Sequence, residues 1–495
     1  MRASGVLMHI SSLPSDYGIG TLGKAAYNFV DFLYEAKQTY WQILPICPTS
    51  YGDSPYQSFS THAGNPYFID LDMLYEDGLL KKSDYSKIKW DYEKGKVDYA
   101  NLYEKRFPVL RKAFENFRNT DLTAFNKFLE ENDSWISNYG LFMSIKASFS
   151  GKPWLEWEDG LKKRDPHSLW IFKSSHEDDV MFWEFLQFKF FEQWFKLKEY
   201  ANSKGIKIIG DIPIYVAMDS ADVWVYFDLF DLDEELAPKT VAGCPPDAFS
   251  ETGQLWGNPI YNWNRHKETD YSWWIDRLKA SMQFFDKVRI DHFRGFDEYY
   301  AIPYGDETAE NGEWKKGPGT EFFDFLKTKF EKLPIIAEDL GLLTPSVLQM
   351  LSESGFPGMK VLEFAFDPDE SSCYLPYNYD KNCVVYIGTH DNDTLIGWKN
   401  SIDKRTLEFC RKYLMIDSDN DSDFVWSFIK SAFACVGDTV IIQMQDYLEL
   451  GSEARMNVPS TLGGNWQWRM GKRDATKKLA KKIADITRTY GRCER

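Results

Sequence analysis

The sequence lacks the features by which a chain binds nucleic acid or spans a membrane. Its 495 residues include 58 lysines and arginines against 75 aspartates and glutamates, a formal net charge of −17. A phosphate backbone needs a concentrated positive surface, so we expect no nucleic-acid partner. No run approaches the roughly 18 apolar residues of a membrane-spanning helix, and the apolar stretch near the N-terminus is too short for a signal peptide. We therefore expect no membrane association.

Cysteine is scarce, and its spacing matches neither a disulfide framework nor a metal site. The seven cysteines are scattered, their number is odd and none forms a CxxC pair, so neither a disulfide framework nor a structural zinc site is expected. Reduced thiols are typical of a cytoplasmic protein. The acidic stretch 417–423 lacks the glycine and the terminal glutamate of a calcium loop. The sequence therefore predicts a cytoplasmic location, with no metal and no cofactor.

Apolar residues are abundant, at 43% of the chain, and many fall into eight short runs that have the character of buried strands. Near-continuous β-branched runs are typical of a parallel sheet that is covered on both faces. Amphipathic stretches with helical spacing separate most of them. This alternation predicts a (β/α)8 TIM barrel, with a doubly wound open sheet as the alternative. The predicted strands are 5–10, 41–46, 206–214, 287–293, 334–339, 360–366, 384–390 and 439–446.

Two connections of the predicted barrel are much longer than the others. Residues 74–180, after strand 2, are rich in charged and aromatic residues and are predicted to form a mostly helical insertion. Residues 216–265 are predicted to form a second insertion, after strand 3. Only a helix and a short tail follow strand 8, so we expect no C-terminal β-domain. We interpret residues 1–495 as a single barrel domain.

Charged residues interrupt these apolar runs where a buried strand would not normally carry them. Arg289 and Asp291 are two residues apart in "KVRIDHF" and therefore project from one face of the strand. Four further strands carry an acidic residue near the same end, namely Asp211, Glu338, Asp391 and Asp446. A barrel builds its active site at the C-terminal ends of its strands. A structural ion pair would explain Arg289 and Asp291 alone, but several charges at one barrel mouth are costly unless function needs them.

Carboxylates at a barrel mouth have a natural chemistry in the cleavage of glycosidic bonds. Retaining enzymes use one ionised carboxylate as nucleophile and one protonated carboxyl as acid. Arg289 would keep Asp291 ionised, which suits the nucleophile. Glu338, on the neighbouring strand, would feel that negative charge, and the resulting rise in its pKa suits a general acid. Asp391 would be a third group, binding sugar hydroxyls and favouring a distorted ring.

Long stretches of the sequence resemble the motifs of one enzyme family. They are SSLPSDYGIGTLG (11–23), the stretch 40–67, GDIPIYV (210–216), PPDAFSETGQLWGNPIYNW (245–263), VRIDHFRGF (288–296), AEDLG (337–341) and GTHDNDT (388–394). Together they span nearly the whole chain and resemble the 4-α-glucanotransferases, the amylomaltase or disproportionating-enzyme family (glycoside hydrolase family 77, related to the α-amylases). The resemblance implies transfer of α-1,4-glucan segments from a donor to the 4-hydroxyl of an acceptor, through a covalent glycosyl-enzyme.

The resemblance also implies roles for individual residues. Asp291 resembles the catalytic nucleophile, Glu338 the acid/base and Asp391 the transition-state stabiliser. The residues that resemble substrate-binding groups are Arg289, His390, Tyr56, Gln57, Asp211, Asp247, Trp256, His292, Asn465 and Trp466. For Asp211 and His292, a purely structural part in the polar network is the alternative.

Two loops are expected to affect the substrate channel. Asp247 lies in a segment that resembles a lid over the substrate channel. The family usually continues Asn-x-Pro with glycine, whereas this sequence has Ser460 there. A side chain in place of glycine is expected to alter the backbone of that loop.

Two other functions stay open on the sequence. A hydrolase of α-1,4-glucans on the same barrel would have the same three catalytic residues. A catalytically inactive glucan-binding protein would have lost at least one of Asp291, Glu338 and Asp391, and all three are present. For each of these functions we expect the partner to be an α-1,4-glucan, such as a maltooligosaccharide or a fragment of starch or glycogen.

Overall fold

Eight parallel strands form one sheet of the protein, and four antiparallel strands form a second. The computed structural model describes residues 2–50, 52–246, 250–341 and 343–493. In these ranges the strands are β1 (Ala3–Leu7), β2 (Tyr40–Gln42), β3 (Lys207–Pro213), β4 (Thr240–Cys244), β5 (Gln254–Pro259), β6 (Lys287–Asp291), β7 (Glu298–Pro303), β8 (Glu313–Lys316), β9 (Ile335–Ala337), β10 (Gly358–Val361), β11 (Cys383–Tyr386) and β12 (Thr439–Gln443).

The parallel sheet closes on itself to form a barrel. Its strand order is β10-β11-β12-β1-β2-β3-β6-β9. The two end strands meet, because the backbone N–H of Ala337 in β9 donates to the carbonyl of Pro357, directly before β10, at 2.9 Å. Each of the eight predicted runs overlaps one of these strands. The predicted (β/α)8 barrel is therefore confirmed, and the alternative of an open doubly wound sheet is wrong.

The alternation of side chains along β6 explains why an apolar strand carries a charged pair. Val288 and Ile290 belong to the hydrophobic core, so Arg289 and Asp291 project from the opposite face. In the parallel pairing of β3 with β6, Arg289 lies opposite Asp211. Two neighbouring strands thus bring three charged side chains together on the inner side of the barrel.

Helices connect most of the barrel strands, and local signals mark where they begin and end. Helix α13 (Pro345–Ser354) directly follows Thr344, whose side chain accepts a hydrogen bond from the N–H of Val347. Gly355, with a φ of +75°, caps its C-terminal end. In the described ranges the helices are α1 (Lys24–Glu35), α2 (Leu71–Glu76), α3 (Tyr99–Phe117), α4 (Thr123–Glu131), α5 (Ile136–Ser148), α6 (Asp159–Lys162), α7 (Pro166–Ser175), α8 (Glu177–Ser203), α9 (Ala221–Val225), α10 (Trp263–Glu268), α11 (Ser272–Phe284), α12 (Gly319–Lys329), α13 (Pro345–Ser354), α14 (Leu395–Ser401), α15 (Lys404–Leu414), α16 (Asp421–Ala434), α17 (Met444–Tyr447) and α18 (Lys477–Thr489). None of these helices has the length and apolar character needed to cross a membrane.

The two long connections carry additional structure around the barrel mouth. Helices α2 to α8 lie between β2 and β3. The connection from β3 to β6 contains β4 and β5, which pair with β7 and β8 in the order β5-β4-β7-β8. Since β7 and β8 follow β6, this antiparallel sheet joins two different barrel connections, a feature that the sequence did not predict. The extents of the two insertions, 74–180 and 216–265, stay predictions.

Candidate active site

The charged residues of the candidate active site lie where the barrel strands end. Asp291 is the last residue of β6, Glu338 directly follows β9, and Asp391 lies in the turn between β11 and α14. Because parallel strands end at the same rim of a barrel, these three carboxyl groups share one mouth of the fold.

Arg289 is the cation at the centre of this mouth. Its side chain is 3% exposed, and its Nη1 donates to both carboxylate oxygens of Asp211, at 2.9 and 2.7 Å. Its Nη2 lies 2.9 Å from Oδ1 of Asp291. Burial raises the pKa of Asp211 to about 6, while the charge of Arg289 opposes that rise. Asp211 is therefore mostly ionised at neutral pH, and one guanidinium serves two carboxylates.

Tyr56 connects the Arg289 cluster to the opposite side of the mouth. Its hydroxyl donates to Oδ2 of Asp211 at 2.9 Å, and burial raises the pKa of Tyr56 well above its usual value, so the proton stays. Its ring stacks on His390 with centroids 5.1 Å apart and planes 12° apart. Trp466 packs beside both rings, at 5.9 Å from Tyr56 and 6.0 Å from His390. The structure thus brings five of the predicted substrate-binding residues into one cluster, namely Arg289, Asp211, Tyr56, His390 and Trp466.

Glu338 is held by the backbone on the far side of Asp291. Its Oε2 accepts from the N–H of His292 and its Oε1 from the N–H of Leu340, both at 2.7 Å. Burial raises the pKa of Glu338 from 4.5 to about 8, and the negative charge of Asp291 adds to the rise. Two backbone bonds therefore fix the position of a carboxyl group that is mostly protonated at neutral pH.

Asp391 is oriented by its own loop and by a loop near the C-terminus. Its Oδ2 lies 3.4 Å from Nε2 of His390. Its Oδ1 accepts from Nδ2 of Asn457 at 2.7 Å, and its backbone carbonyl accepts from Arg455 at 2.6 Å. Neither Asn457 nor Arg455 was singled out from the sequence. The only available signal was that Asn457 is the asparagine of the Asn-x-Pro motif and that Arg455 lies two residues before it.

Trp256 and His292 form an aromatic wall beside the carboxyl groups. Their rings meet edge to face with centroids 4.8 Å apart, and His292 has a left-handed backbone with φ of +56°. Burial lowers the pKa of His292 to about 3, so the ring is neutral. Gln57 lies behind Trp256, since its Nε2 donates to Oδ1 of Asn258 on the same strand, β5, at 3.1 Å. Trp256, His292 and Gln57 therefore belong to one wall of the mouth.

Three predictions on loops have different outcomes. Asp247 lies outside the described residues. The side chain of Asn465 is half-buried and closes its own loop, because Oδ1 accepts from the N–H of Val458 at 3.0 Å and Nδ2 donates to the carbonyl of Thr461 at 3.2 Å. Ser460, in that same loop, has a φ of +62°, a left-handed conformation that glycine adopts at lower cost.

Two buried acids lie near the mouth without joining the carboxyl cluster. Glu363, in the turn after β10, is 5% exposed, and neither of its carboxyl oxygens has a hydrogen-bond partner within the described ranges. Burial raises its pKa well above 4.5. Asp446 accepts from the N–H of Leu395 at 2.8 Å and therefore supports the start of α14. In the part of the chain that the structure describes, no three histidine, cysteine, aspartate or glutamate side chains are grouped so as to hold a metal ion.

A (β/α)8 barrel whose mouth pairs a buried, protonated carboxyl group with an arginine-bound carboxylate defines an enzyme that acts on glycosidic bonds. The sequence profile of the 4-alpha-glucanotransferases, glycoside hydrolase family 77, matches residues 8–474. The chain belongs to this family.

Individual relatives agree with this assignment over their full length. The chain is 51% identical to a 4-alpha-glucanotransferase of Clostridium butyricum, with 98% of this chain and 100% of that relative covered. It is 48% identical to one of Streptococcus pneumoniae, with 99% and 97% covered. Among solved structures, an amylomaltase of Streptococcus agalactiae in complex with acarbose superimposes with a TM-score of 0.97 at 44% identity, covering 100% of both chains.

Proposed function

We propose that Asp291, Glu338 and Asp391 carry out a two-step transfer of α-1,4-glucan segments. In this proposal Asp291 is the nucleophile, Glu338 the general acid and then base, and Asp391 the residue that stabilises the transition state. The observation that carries it is the buried carboxyl group of Glu338, held by two backbone N–H groups, with its pKa at about 8 beside the arginine-bound Asp291. One proton donor and one nucleophile are what a retaining mechanism needs.

In the first step, a carboxylate oxygen of Asp291 attacks C1 of the glucosyl unit at the cleavage site. The bond from C1 to the glycosidic oxygen breaks, and Glu338 gives its proton to that oxygen as the leaving glucan departs. Positive charge develops on the sugar ring in the transition state. Asp391, fixed by Asn457 at 2.7 Å, faces this charge, so its orientation contributes to the rate.

In the second step, the proton returns by the reverse route. The ester to C1 removes the negative charge of Asp291, which is one of the causes of the raised pKa of Glu338. The pKa of Glu338 therefore falls once the intermediate has formed, and its carboxylate becomes a better base. Glu338 takes the proton of the acceptor 4-hydroxyl, the new bond to C1 forms and Asp291 is released. A new α-1,4 bond replaces the one that was broken.

The aromatic walls favour a sugar acceptor over water. Trp256 and His292 on one side, and Tyr56 on the other, are aromatic rings beside which the apolar faces of glucosyl units would stack. An acceptor held this way has a high effective concentration at C1. We propose the same role for the loop that contains Asp247, as a cover that keeps water out.

We propose α-1,4-glucans as donor and acceptor, from maltooligosaccharides to fragments of starch or glycogen. The S. agalactiae amylomaltase was solved in complex with acarbose, which supports a saccharide ligand for this chain. The acidic composition, with a net charge of −17, supports neither a nucleic-acid partner nor an anionic membrane surface. Location in the cytoplasm stays a prediction.

Pure maltotriose tests the transfer reaction. A transferase should produce glucose together with a ladder of longer maltodextrins, while the total number of reducing ends stays nearly constant because each bond broken is matched by one made. The measurement is chromatography of the products alongside a reducing-end assay. A steady increase in reducing ends, with no product longer than maltotriose, would instead establish a hydrolase.

A further inference from the structure

A second cavity lies outside the candidate active site. It has a volume of about 260 Å³, and its walls come from the loop after β2, the start of α5, α9 with the residues that follow it, and the start of α11. None of the residues that we propose for catalysis or sugar binding lines it. This volume is slightly below the roughly 300 Å³ at which the usual range of ligand pockets begins. The cavity therefore suits a small ligand of one or two rings.

The hydrogen bonds of Thr61 determine which nitrogen of His62 carries the proton. The hydroxyl of Thr61 donates its only hydrogen to Oδ1 of Asp222 at 2.7 Å. Nδ1 of His62 lies 3.0 Å from the same hydroxyl oxygen, so Nδ1 must be the donor there. Burial lowers the pKa of His62, and the ring is neutral. The other nitrogen, Nε2, is therefore a hydrogen-bond acceptor on a residue that lines the cavity.

The charged residues of the cavity are acceptors too, and two of them are already partnered. Asp222 also accepts from the backbone N–H of Thr61 at 2.8 Å, and Asp228 pairs with Arg265 at 2.9 Å. Asp276 is largely exposed and lies 3.7 Å from Lys279. Neither lysine nor arginine is among the residues that line the cavity. A neutral ligand rich in hydroxyl donors fits this set, because Asp228 and Asp276 already have cationic partners and both oxygens of Asp222 accept from Thr61.

Tyr226 gives the cavity an aromatic surface. Its side chain lines the cavity and is 36% exposed. Within the described ranges, its ring stacks on no other aromatic ring, in contrast to the rings of Trp135 and Trp273, which also line the cavity and pack against neighbours. An open aromatic ring beside several acceptors is the combination that recognises a sugar, whose rings have apolar faces and hydroxyl edges.

We propose that this cavity binds one or two glucosyl units of an α-glucan, as a site separate from the catalytic cleft. The choice of ligand rests on the proposed function, because it takes the ligand class from the substrate. The loop after β2 carries Tyr56 and Gln57 toward the barrel mouth and Ser60 and His62 toward the cavity. That loop is pinned between them, since the N–H of Ala221 donates to the carbonyl of Phe59 at 2.8 Å. A glucan chain held in the cavity therefore lies beside the loop that lines the catalytic cleft.

Calorimetric titration of maltotriose into the Asp291→Asn variant tests the second site without turnover. We expect two classes of site. Adding Tyr226→Ala should raise the dissociation constant of one class about tenfold, which corresponds to about 1.4 kcal/mol, and leave the other unchanged. Ser272→Phe, which introduces a ring from an exposed lining position at the start of α11, should remove the same class. Tyr304→Ala is the matched control, since Tyr304 is 54% exposed and does not line the cavity, and it should change neither class.

The outcomes separate this site from the proposed activity. A single class of site in Asp291→Asn, or two classes that both persist in Ser272→Phe, would overturn the second site. Binding of spermidine that Ser272→Phe abolishes, with no effect of that change on maltotriose, would assign the cavity to a cation. In the wild-type background, Tyr226→Ala and Ser272→Phe should still disproportionate maltotriose, which checks folding. Failure of the wild-type enzyme to do so would instead refute the proposed function.

Discussion

In the proposed mechanism, the pKa of Glu338 makes the first chemical step sensitive to alkaline pH. The general acid must be protonated when the glycosidic bond breaks. Burial and the neighbouring charge of Asp291 raise the pKa of Glu338 to about 8. Since activity needs the protonated form, it should be retained below that value and lost as the pH rises through it.

The size of the effect follows from the protonated fraction. With a pKa of about 8, Glu338 is roughly 90% protonated at pH 7, whereas a carboxyl group at 4.5 would be only about 0.3% protonated. The environment of the side chain thus increases the amount of competent acid about 300-fold at neutral pH. Above pH 8, kcat/KM for maltotriose should fall about tenfold per pH unit.

A comparison of two donors assigns this pH dependence to the general acid. Fluoride leaves α-maltosyl fluoride without being protonated. Transfer of the maltosyl group to the enzyme should therefore not follow the same alkaline decline. In Glu338→Gln, cleavage of maltotriose should fall by roughly 10²–10⁴, the usual contribution of a general acid. Formation of the intermediate from maltosyl fluoride should largely survive. Initial rates from pH 5 to 10, with each donor and both proteins, provide the measurement.

Two results would refute this reasoning. An alkaline decline with the same midpoint for both donors would show that another group controls it. A midpoint near 4.5 would mean that burial does not keep Glu338 protonated. Because Asp291 and Glu338 interact, the midpoint belongs to the pair, and its loss in Glu338→Gln is the deciding control.

Three further predictions concern the nucleophile, the aromatic wall and a buried acid. Asp291→Asn should keep the fold, since the two side chains are nearly isosteric, but lose activity by several orders of magnitude; a fluorinated glucosyl donor should label Asp291 in the wild type, and a label on Glu338 or Asp391 would contradict the assignment. Trp256→Ala should reduce kcat/KM for long donors about fivefold more than kcat/KM for maltotriose, as the loss of a stacking contact of about 1 kcal/mol implies. Equal losses in kcat/KM for both donors would show that Trp256 only packs against its neighbours. The neutral form of Glu363 is favoured by folding because burial raises its pKa, so the stability of the wild type falls as the pH rises above 4.5, by up to about 1.4 kcal/mol per pH unit. The melting temperature of Glu363→Gln should therefore be higher than that of the wild type at pH 7.5 and equal to it at pH 4.5. Equal melting temperatures of the two proteins at both pH values would show that Glu363 is not buried without a partner.

The barrel could be predicted because each strand carries its own signal. A parallel strand covered on both faces must be apolar almost throughout, and a charged residue in it marks an inward-facing position at the mouth. Arg289 and Asp291 gave this signal by their spacing alone. Closure was predicted with an open doubly wound sheet as the alternative, since eight such strands with intervening helices have few other arrangements, and the register of the strands was not predicted.

Other contacts had no such signal, because they join segments far apart in the chain. Asn457 holds Asp391 across 66 residues, and nothing in either local sequence specifies the pairing. The antiparallel sheet unites β4 and β5 with β7 and β8 from a different connection, and the strands are short. Likewise, Asp222 determines through Thr61 which ring nitrogen of His62 carries the proton, and only the three-dimensional structure reveals this.

Asp211 shares the guanidinium of Arg289 with Asp291, the proposed nucleophile. The negative charge of Asp291 raises the pKa of Glu338, and the positive charge of Arg289 lowers it by less. Asp211 takes both hydrogen bonds of Nη1, at 2.9 and 2.7 Å, and leaves Asp291 with Nη2. One guanidinium therefore serves two carboxylates, and the cluster of these three side chains carries a net negative charge. We propose that Asp211 positions Arg289 and, through it, Asp291, whose charge raises the pKa of Glu338.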